Sequence, residues 1–390
     1  MNQLPPTPDQ DINALQCVPP RPPDIELPCL EIVARSTLSL CQPVPDSVPA
    51  AWQTATMLLA QQFGFDVRQV PKRPALRMKK LIQWGSAASA QPPAPMFAPW
   101  QCGFPEALQQ PRQLALPNAS WVSTYVFGKQ TRGRCWRNVT DIMLMSPLPG
   151  GCAPDDLIPQ PKVLQVMIEA ARRENRRKVT IVTDARRRNG IIMHLLLLKL
   201  TDGRDRIAIE VSSIENVLSE LADDPGSADA MVVLPDMRGL VLGILSETSD
   251  NIGPWPMVWH ERDACLISCE ALGDFCHTIP LNVSLLAQAL ALAANRTGLI
   301  STSEQLARAA ATLGEWGDVR FGDRFAEDDR VRLSDEDLIK TLGRNIASGE
   351  GAHPIWQAVK PRSTLTKPNR SPGLKLVHSS PASEIGIPAQ

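Results

Sequence analysis

The sequence predicts an α/β fold built on a largely parallel sheet, and three observations predict it. Short β-type runs alternate with segments of helical apolar spacing along most of the chain. One run, AMVVL at 230–234, is apolar at every position, as a strand covered on both faces of a parallel sheet must be. The chain has 390 residues, 43% of them hydrophobic, and 40 basic against 41 acidic side chains, which is enough apolar surface for a sizeable core with almost no net charge. Disorder throughout is thereby excluded. No stretch reaches the roughly 20 consecutive apolar residues of a transmembrane helix, so no membrane role is expected.

The elements follow in order. Residues 1–28 hold eight prolines and no basic-then-apolar leader, which predicts a flexible Pro-rich start and a cytoplasmic protein. Residues 30–34 (LEIVA) are a β-type run. After a Pro-interrupted turn, Trp52, Ala55, Leu59 and Phe63 mark a helix, and 65–67 a strand. Of the 36 prolines, 25 lie at or before Pro161 and eight of these between Pro71 and Pro111. Proline removes a donor and disfavours helix in its predecessor, so that stretch predicts loops with short elements. Further on, Val163, Val166, Met167, Ala170 and Ala171 mark one helix face, and the basic run after them leads into the β-branched strand 179–183. Residues 191–200 predict a buried helix, 206–211 a strand, 215–221 a helix and 230–234 the covered strand. The run 284–295 is apolar on nearly all sides and predicts a helix inside a core or a subunit interface. Capping boxes at Ser301/Glu304 or Thr302/Gln305, and at Ser334/Asp337, announce helices over 306–313 and 338–346. Residues 357–390 carry five basic side chains against Glu384 without apolar periodicity, and predict a disordered basic tail.

Six segments carry a resemblance: AAWQTATMLLAQQFGFDV, PRQLALPNASWVSTYVFG, DIMLMSPLPGG, RRENRRKVTIVTDARR, IAIEVSSIENVLSELADDPGSADAMVVLPDMRGLVLGIL and IPLNVSLLAQALALAANRTG. In order and spacing they resemble the first helix, substrate loop, central hairpin, catalytic-lysine strand, metal segment and penultimate helix of the metal-dependent β-decarboxylating dehydrogenases, the isocitrate and isopropylmalate dehydrogenase family. The likeness spans roughly residues 30–350. It implies an isopropylmalate dehydrogenase-like α/β fold, a large parallel or mixed sheet flanked by helices with a smaller α/β dimerisation domain, and a core of two interleaved subdomains over 29–350.

The family oxidises a hydroxy acid with a nicotinamide cofactor and decarboxylates the product with help from a divalent metal. At the matching positions this chain departs from that chemistry. The resemblance places Trp121 and Ser146 where substrate arginines stand, and neither clamps a carboxylate bidentately. Asp184 falls on the lysine of proton transfer. Leu240 and Ile244 replace two metal carboxylates, and Glu215 alone retains an oxygen ligand, too few for magnesium. The adenosine loop becomes His260, Glu261, Arg262 and Asp263, without the glycine that permits close backbone approach. A small shift in alignment would bring Arg186 or Asp236 into play instead. NAD(P) and Mg are therefore expected only if activity survives. The resemblance predicts a non-catalytic protein that associates with itself or with a catalytic paralogue, the alternative being a divergent NAD(P)-dependent oxidoreductase of a 2-hydroxy acid.

Other groups have plainer readings. His260, Cys265, Cys269, Cys276 and His277 lack the paired Cys-x2-Cys spacing of structural zinc sites and read as ordinary residues. Most of the nine cysteines read as reduced, buried small hydrophobes. The segment 172–188 carries eight basic and two acidic residues, a net of +6, and reads as a solvated face, the alternative being attraction for a phosphate or an acidic partner. Without interleaved aromatics it does not suggest nucleic acid. Trp255 and Trp259 fall in a Pro-flanked segment expected to be a loop, as buried anchors or as an exposed protein contact.

Overall fold

Ten strands form one mixed sheet in the computed structural model, which describes residues 36–41, 48–70, 94–103, 119–129, 139–153, 157–198, 207–248, 253–262, 264–272, 278–316, 336–337, 339–340 and 356–360. The strands are β1 (Ser36–Cys41), β2 (Phe65–Val70), β3 (Met96–Gly103), β4 (Trp121–Lys129), β5 (Val139–Pro147), β6 (Lys178–Thr183), β7 (Ala208–Ser213), β8 (Ala230–Val233), β9 (Trp255–His260) and β10 (Cys265–Glu270). Their order is β2-β1-β3-β10-β9-β4-β5-β8-β6-β7. The outer strands pair in parallel, while β10-β9, β9-β4 and β4-β5 pair antiparallel in the middle. The expected α/β class and the large mixed sheet flanked by helices are both present.

Among the described residues seven helices connect and cover the sheet: α1 (Ala50–Gln62), α2 (Pro161–Arg173), α3 (Ala185–Leu197), α4 (Ile214–Asp223), α5 (Arg238–Thr248), α6 (Val283–Arg296) and α7 (Ile300–Trp316). The crossovers β5-α2-β6 and β6-α3-β7 advance across the sheet, whereas β7-α4-β8 returns. Right-handed connection therefore puts α4 on the opposite face, where it packs on α5. Strand β8 is buried at all four positions between β5 and β6, which is why it is apolar throughout. Helix α6 is the central helix: every residue from Val283 to Asn295 except Ser284 and Gln288 is buried within one chain.

The run 30–34 lies outside the described residues, and the first described strand starts at Ser36. Several other expectations need correction. The Pro-rich stretch contains an eight-residue strand, β3, with Pro99 inside it. The β3-β10 register explains this: from the pair Phe97–Ile267 to the pair Cys102–Cys269, β3 advances five residues and β10 two, so Pro99 sits in a bulge where no ladder donor is required. The buried face of α2 is Leu164, Met167, Ile168 and Ala171, and Val166 is exposed. Helix α3 begins at Ala185 and is not buried all round, since Met193, Leu196 and Leu197 are exposed.

Trp255 and Trp259 lie in strand β9 and not in a loop; they are the buried anchors, at 1% and 0% exposure. Helix α7 starts at Ile300, so Ser301 and Thr302 are inside it and cap nothing. Residues 336–337 and 339–340 are helical, while Ser334 lies outside the described residues. Residues 356–360 lie on the core: Trp356 packs edge-on to Tyr125, Asn295 donates to the Lys360 carbonyl, and Gln357–Val359 forms a 3-10 turn with Val359 fully buried. Residues 357–360, expected to belong to the tail, are therefore packed on the core, and residues 1–28 and 361–390 lie outside the described residues.

Candidate functional site

Strands β5, β6 and β8 run in parallel, so the segments that follow them meet at one edge of the sheet, where open α/β sheets place ligands. That edge holds Cys152 after β5, Asp184 after β6 and Asp236 after β8. Asp184 is the N-cap of α3 and accepts from the Arg187 backbone N–H at 2.8 Å. The Arg187 guanidinium grips both carboxylates. Its Nε and Nη2 donate to Asp184 at 2.9 and 2.7 Å, and its Nη1 and Nη2 to Asp236 at 3.0 and 2.8 Å. The hydrogen bonds from Arg187 hold the Asp184 carboxyl below its usual range. Those to Asp236, followed by those to Asp184, raise the Arg187 guanidinium. Burial, aided by the Asp236 charge, pushes the Cys152 thiol up to about 12, which leaves it a protonated, poor nucleophile at neutral pH.

A depressed folded-state pKa contributes stability above the unfolded value and loses it as pH falls through the folded one. Asp184→Asn keeps an N-cap oxygen and removes only the charge. It is expected to lower the urea midpoint at pH 7 and to match the parent once the pH is well below 3.8, the ordinary value for this group. An equal deficit at both pH values would show that the charge is irrelevant.

On the sheet face under α5, Arg238 lies among Glu270, Ser146 and Thr124, all four at 0% exposure. Arg238 Nε and Nη2 fork onto the two Glu270 carboxylate oxygens at 2.8 and 2.7 Å. Its Nη1 donates to Ser146 Oγ at 2.6 Å and its Nη2 to Thr124 Oγ1 at 2.8 Å, while the Thr124 hydroxyl makes a short bond to Glu270. A bidentate guanidinium–carboxylate pair is among the strongest polar contacts available to a protein, and Nη1 and Nη2 each make a further bond here. Ser146 thus serves to accept from an internal arginine, which periodicity did not single out. DMRGLVLGIL does show a lone arginine in an apolar run, and that is the signal available from sequence for a buried, paired charge.

The other resemblance-derived positions are placed as follows. Trp121 is buried and stacks flat on His260, with centroids 3.6 Å apart and planes at 4°. His260 Nε2 is 2.9 Å from Ser123 Oγ. Trp121 and His260 are register partners across β4 and β9, so the positions corresponding to a substrate arginine and an adenosine histidine contact each other. Glu261 and Arg262 lie in the tight turn between β9 and β10, closed by the Glu261 N–H on the Ala264 carbonyl at 3.0 Å, and Asp263 lies outside the described residues.

Glu215 is exposed in the first turn of α4, Leu240 is 59% exposed on α5, and Ile244 is half-buried against the core. Leucine and isoleucine present no oxygen to a cation, and Asp236 is already taken by Arg187. Among the described residues no group of three His, Cys, Asp or Glu side chains could hold a metal ion. These residues do not fit the divalent ion of the resembled family. Cys276 and His277 lie outside the described residues.

The basic segment 172–188 is not one solvated face. Strand β6 separates its two halves by about 20 Å, at roughly 3.3 Å per residue, so they lie at opposite sheet edges. Arg176, fully buried, pairs with Asp141 at 2.9 Å and Asp229 at 3.2 Å. Burial disfavours its charge, but Asp141, Glu174 and Asp229 together raise its pKa. Glu174 also accepts from the Tyr125 hydroxyl at 2.7 Å; burial, then the Glu174 charge, raise that phenol well above its ordinary range.

No family model matches the sequence, and no curated protein matches it. Solved structures do. Isocitrate dehydrogenase from Methylococcus capsulatus superposes with a TM-score of 0.52 at 15% identity, over 79% of this chain and 99% of that one. The TT0538 protein from Thermus thermophilus superposes with a TM-score of 0.51 at 14% identity, over 90% of this chain and 74% of that one. At such identity the likeness establishes a shared fold. No helix among the described residues is long and apolar enough to cross a membrane.

Proposed function

We propose that this chain is a non-catalytic protein on an isocitrate dehydrogenase-like fold and acts by association, with itself or with a catalytic paralogue. The observation that carries this reading is the buried Arg238–Glu270 fork with Ser146 and Thr124. An internal carboxylate occupies the guanidinium in the segment that resembles the metal site, next to the serine at a substrate-arginine position. A substrate carboxylate would have to displace Glu270 from a water-excluded pair, a cost of several kcal/mol. Leu240, exposed on α5, presents no oxygen to a metal ion.

The test is activity and ligand response of the full chain. NAD- or NADP-dependent oxidation of isocitrate or isopropylmalate is expected to stay at the blank with any Mg concentration. Thermal-shift titrations with NAD, NADP, either acid and Mg should leave the midpoint unmoved. Turnover above the blank, or a saturable rise with a nicotinamide cofactor, would overturn the proposal in favour of a divergent oxidoreductase. Light scattering checks association, and a monomer at micromolar concentration with no paralogue bound would count against it.

A further inference from the structure

Two thiols face each other between β3 and β10. Cys102 and Cys269 are register partners in that parallel ladder, so both side chains leave the sheet on the same face. Neighbouring strands lie about 4.8 Å apart, inside the window of about 4.4 to 6.8 Å between Cα atoms in which a disulfide closes without moving the backbone. Both cysteines are reduced thiols, hydrogen-bonded to one another, and Cys269 also donates to the Gln101 carbonyl at 3.4 Å. Exposure is 6% at Cys102 and 0% at Cys269.

We infer that Cys102 and Cys269 form a redox pair that closes to a disulfide when the folded protein meets a small peroxide. Cys102, the more exposed thiol, loses its proton and attacks the peroxide. The O–O bond breaks, Cys102 becomes a sulfenic acid and the first oxygen leaves as water. The Cys269 thiolate then attacks the Cys102 sulfur and expels the second oxygen as water. Two thiols and one hydrogen peroxide thus give one disulfide and two waters, with sulfur oxidised by two electrons and peroxide reduced by two. Reagent access needs only local opening, because the ladder is already interrupted by the bulge at Pro99, whose missing N–H contributes no bond. The attacking species are thiolates, and burial followed by contact with Cys102 holds the Cys269 thiol protonated, so closure is slow at neutral pH and faster at alkaline pH. The bond would tie β3, and through it β1 and β2, to β10.

The experiment treats the folded full chain with hydrogen peroxide at pH 7 and pH 9, then unfolds and alkylates it and maps the peptides by mass spectrometry. A dithiothreitol-reversible Cys102–Cys269 cross-linked peptide is expected, forming faster at pH 9, together with a higher melting midpoint for the oxidised protein. Cys102→Ser and Cys269→Ser should each abolish the cross-link and the midpoint shift. The mapping of the parent protein decides the matter even if a variant fails to fold. Full alkylation of both residues under conditions that oxidise the half-exposed Cys265, or cross-links that join only other cysteines, would overturn the inference.

Discussion

Replacing Arg238 with methionine is expected to lower the free energy of unfolding by about 3–5 kcal/mol, because it leaves the Glu270 carboxylate buried at 0% exposure with the Thr124 hydroxyl as its remaining hydrogen-bond partner. The cost arises from the uncompensated charge and not from loss of an attractive pair. Exchanging both members, Arg238→Met with Glu270→Leu, removes that charge and should recover most of the loss, since apolar residues of similar volume often match a buried ion pair. Urea unfolding of the parent, the two single variants and the double variant measures this as a cycle. Losses that simply add would show that Arg238 and Glu270 do not act as one unit, and would remove the principal support for a blocked substrate region.

Leu286→Asp and Leu242→Asp are expected to abolish the fold, whereas Leu240→Asp should leave it intact. Leu286 in α6 and Leu242 in α5 are both at 0% exposure within a single chain. An unpaired carboxylate at either place costs more than about 4–5 kcal/mol, a large part of the stability of a typical domain. Leu240, at 59% exposure, faces outward and can accept a charge with little effect on folding. If α5 forms the association surface, light scattering of Leu240→Asp should report a smaller particle while circular dichroism stays native. A native-like Leu286→Asp would contradict the burial of α6. An unchanged particle mass for Leu240→Asp would place association elsewhere.

This separation of helices illustrates what apolar composition conveys. The run 284–295 identified a buried helix correctly, but composition cannot distinguish burial inside one chain from burial between two, because the transfer free energy is the same. The tertiary structure covers α6 with the sheet and α7 of the same chain, so that helix carries no sign of a dimer. Helix α3 shows the opposite case. Its apolar residues suggested a buried helix from 191, yet the N-cap Asp184 starts it earlier and sets a face on which Met193, Leu196 and Leu197 point to solvent. Asp184 was legible as a cap from its type and position, and the resemblance to a lysine position obscured it.

The sequence by itself determined the α/β class, the helix marked by Trp52, Ala55 and Leu59, the strands at 65–67 and 179–183, and the wholly apolar β8, because each follows from local periodicity over a few residues. Only the tertiary structure decided which remote side chains meet. Arg238 meets Ser146, Thr124 and Glu270 across 92, 114 and 32 positions of chain, and Cys102 meets Cys269 across 167. No short-range pattern encodes such a meeting. It is set by strand order and register, which bring remote side chains to one face of the sheet and leave a buried charge only the partners found there.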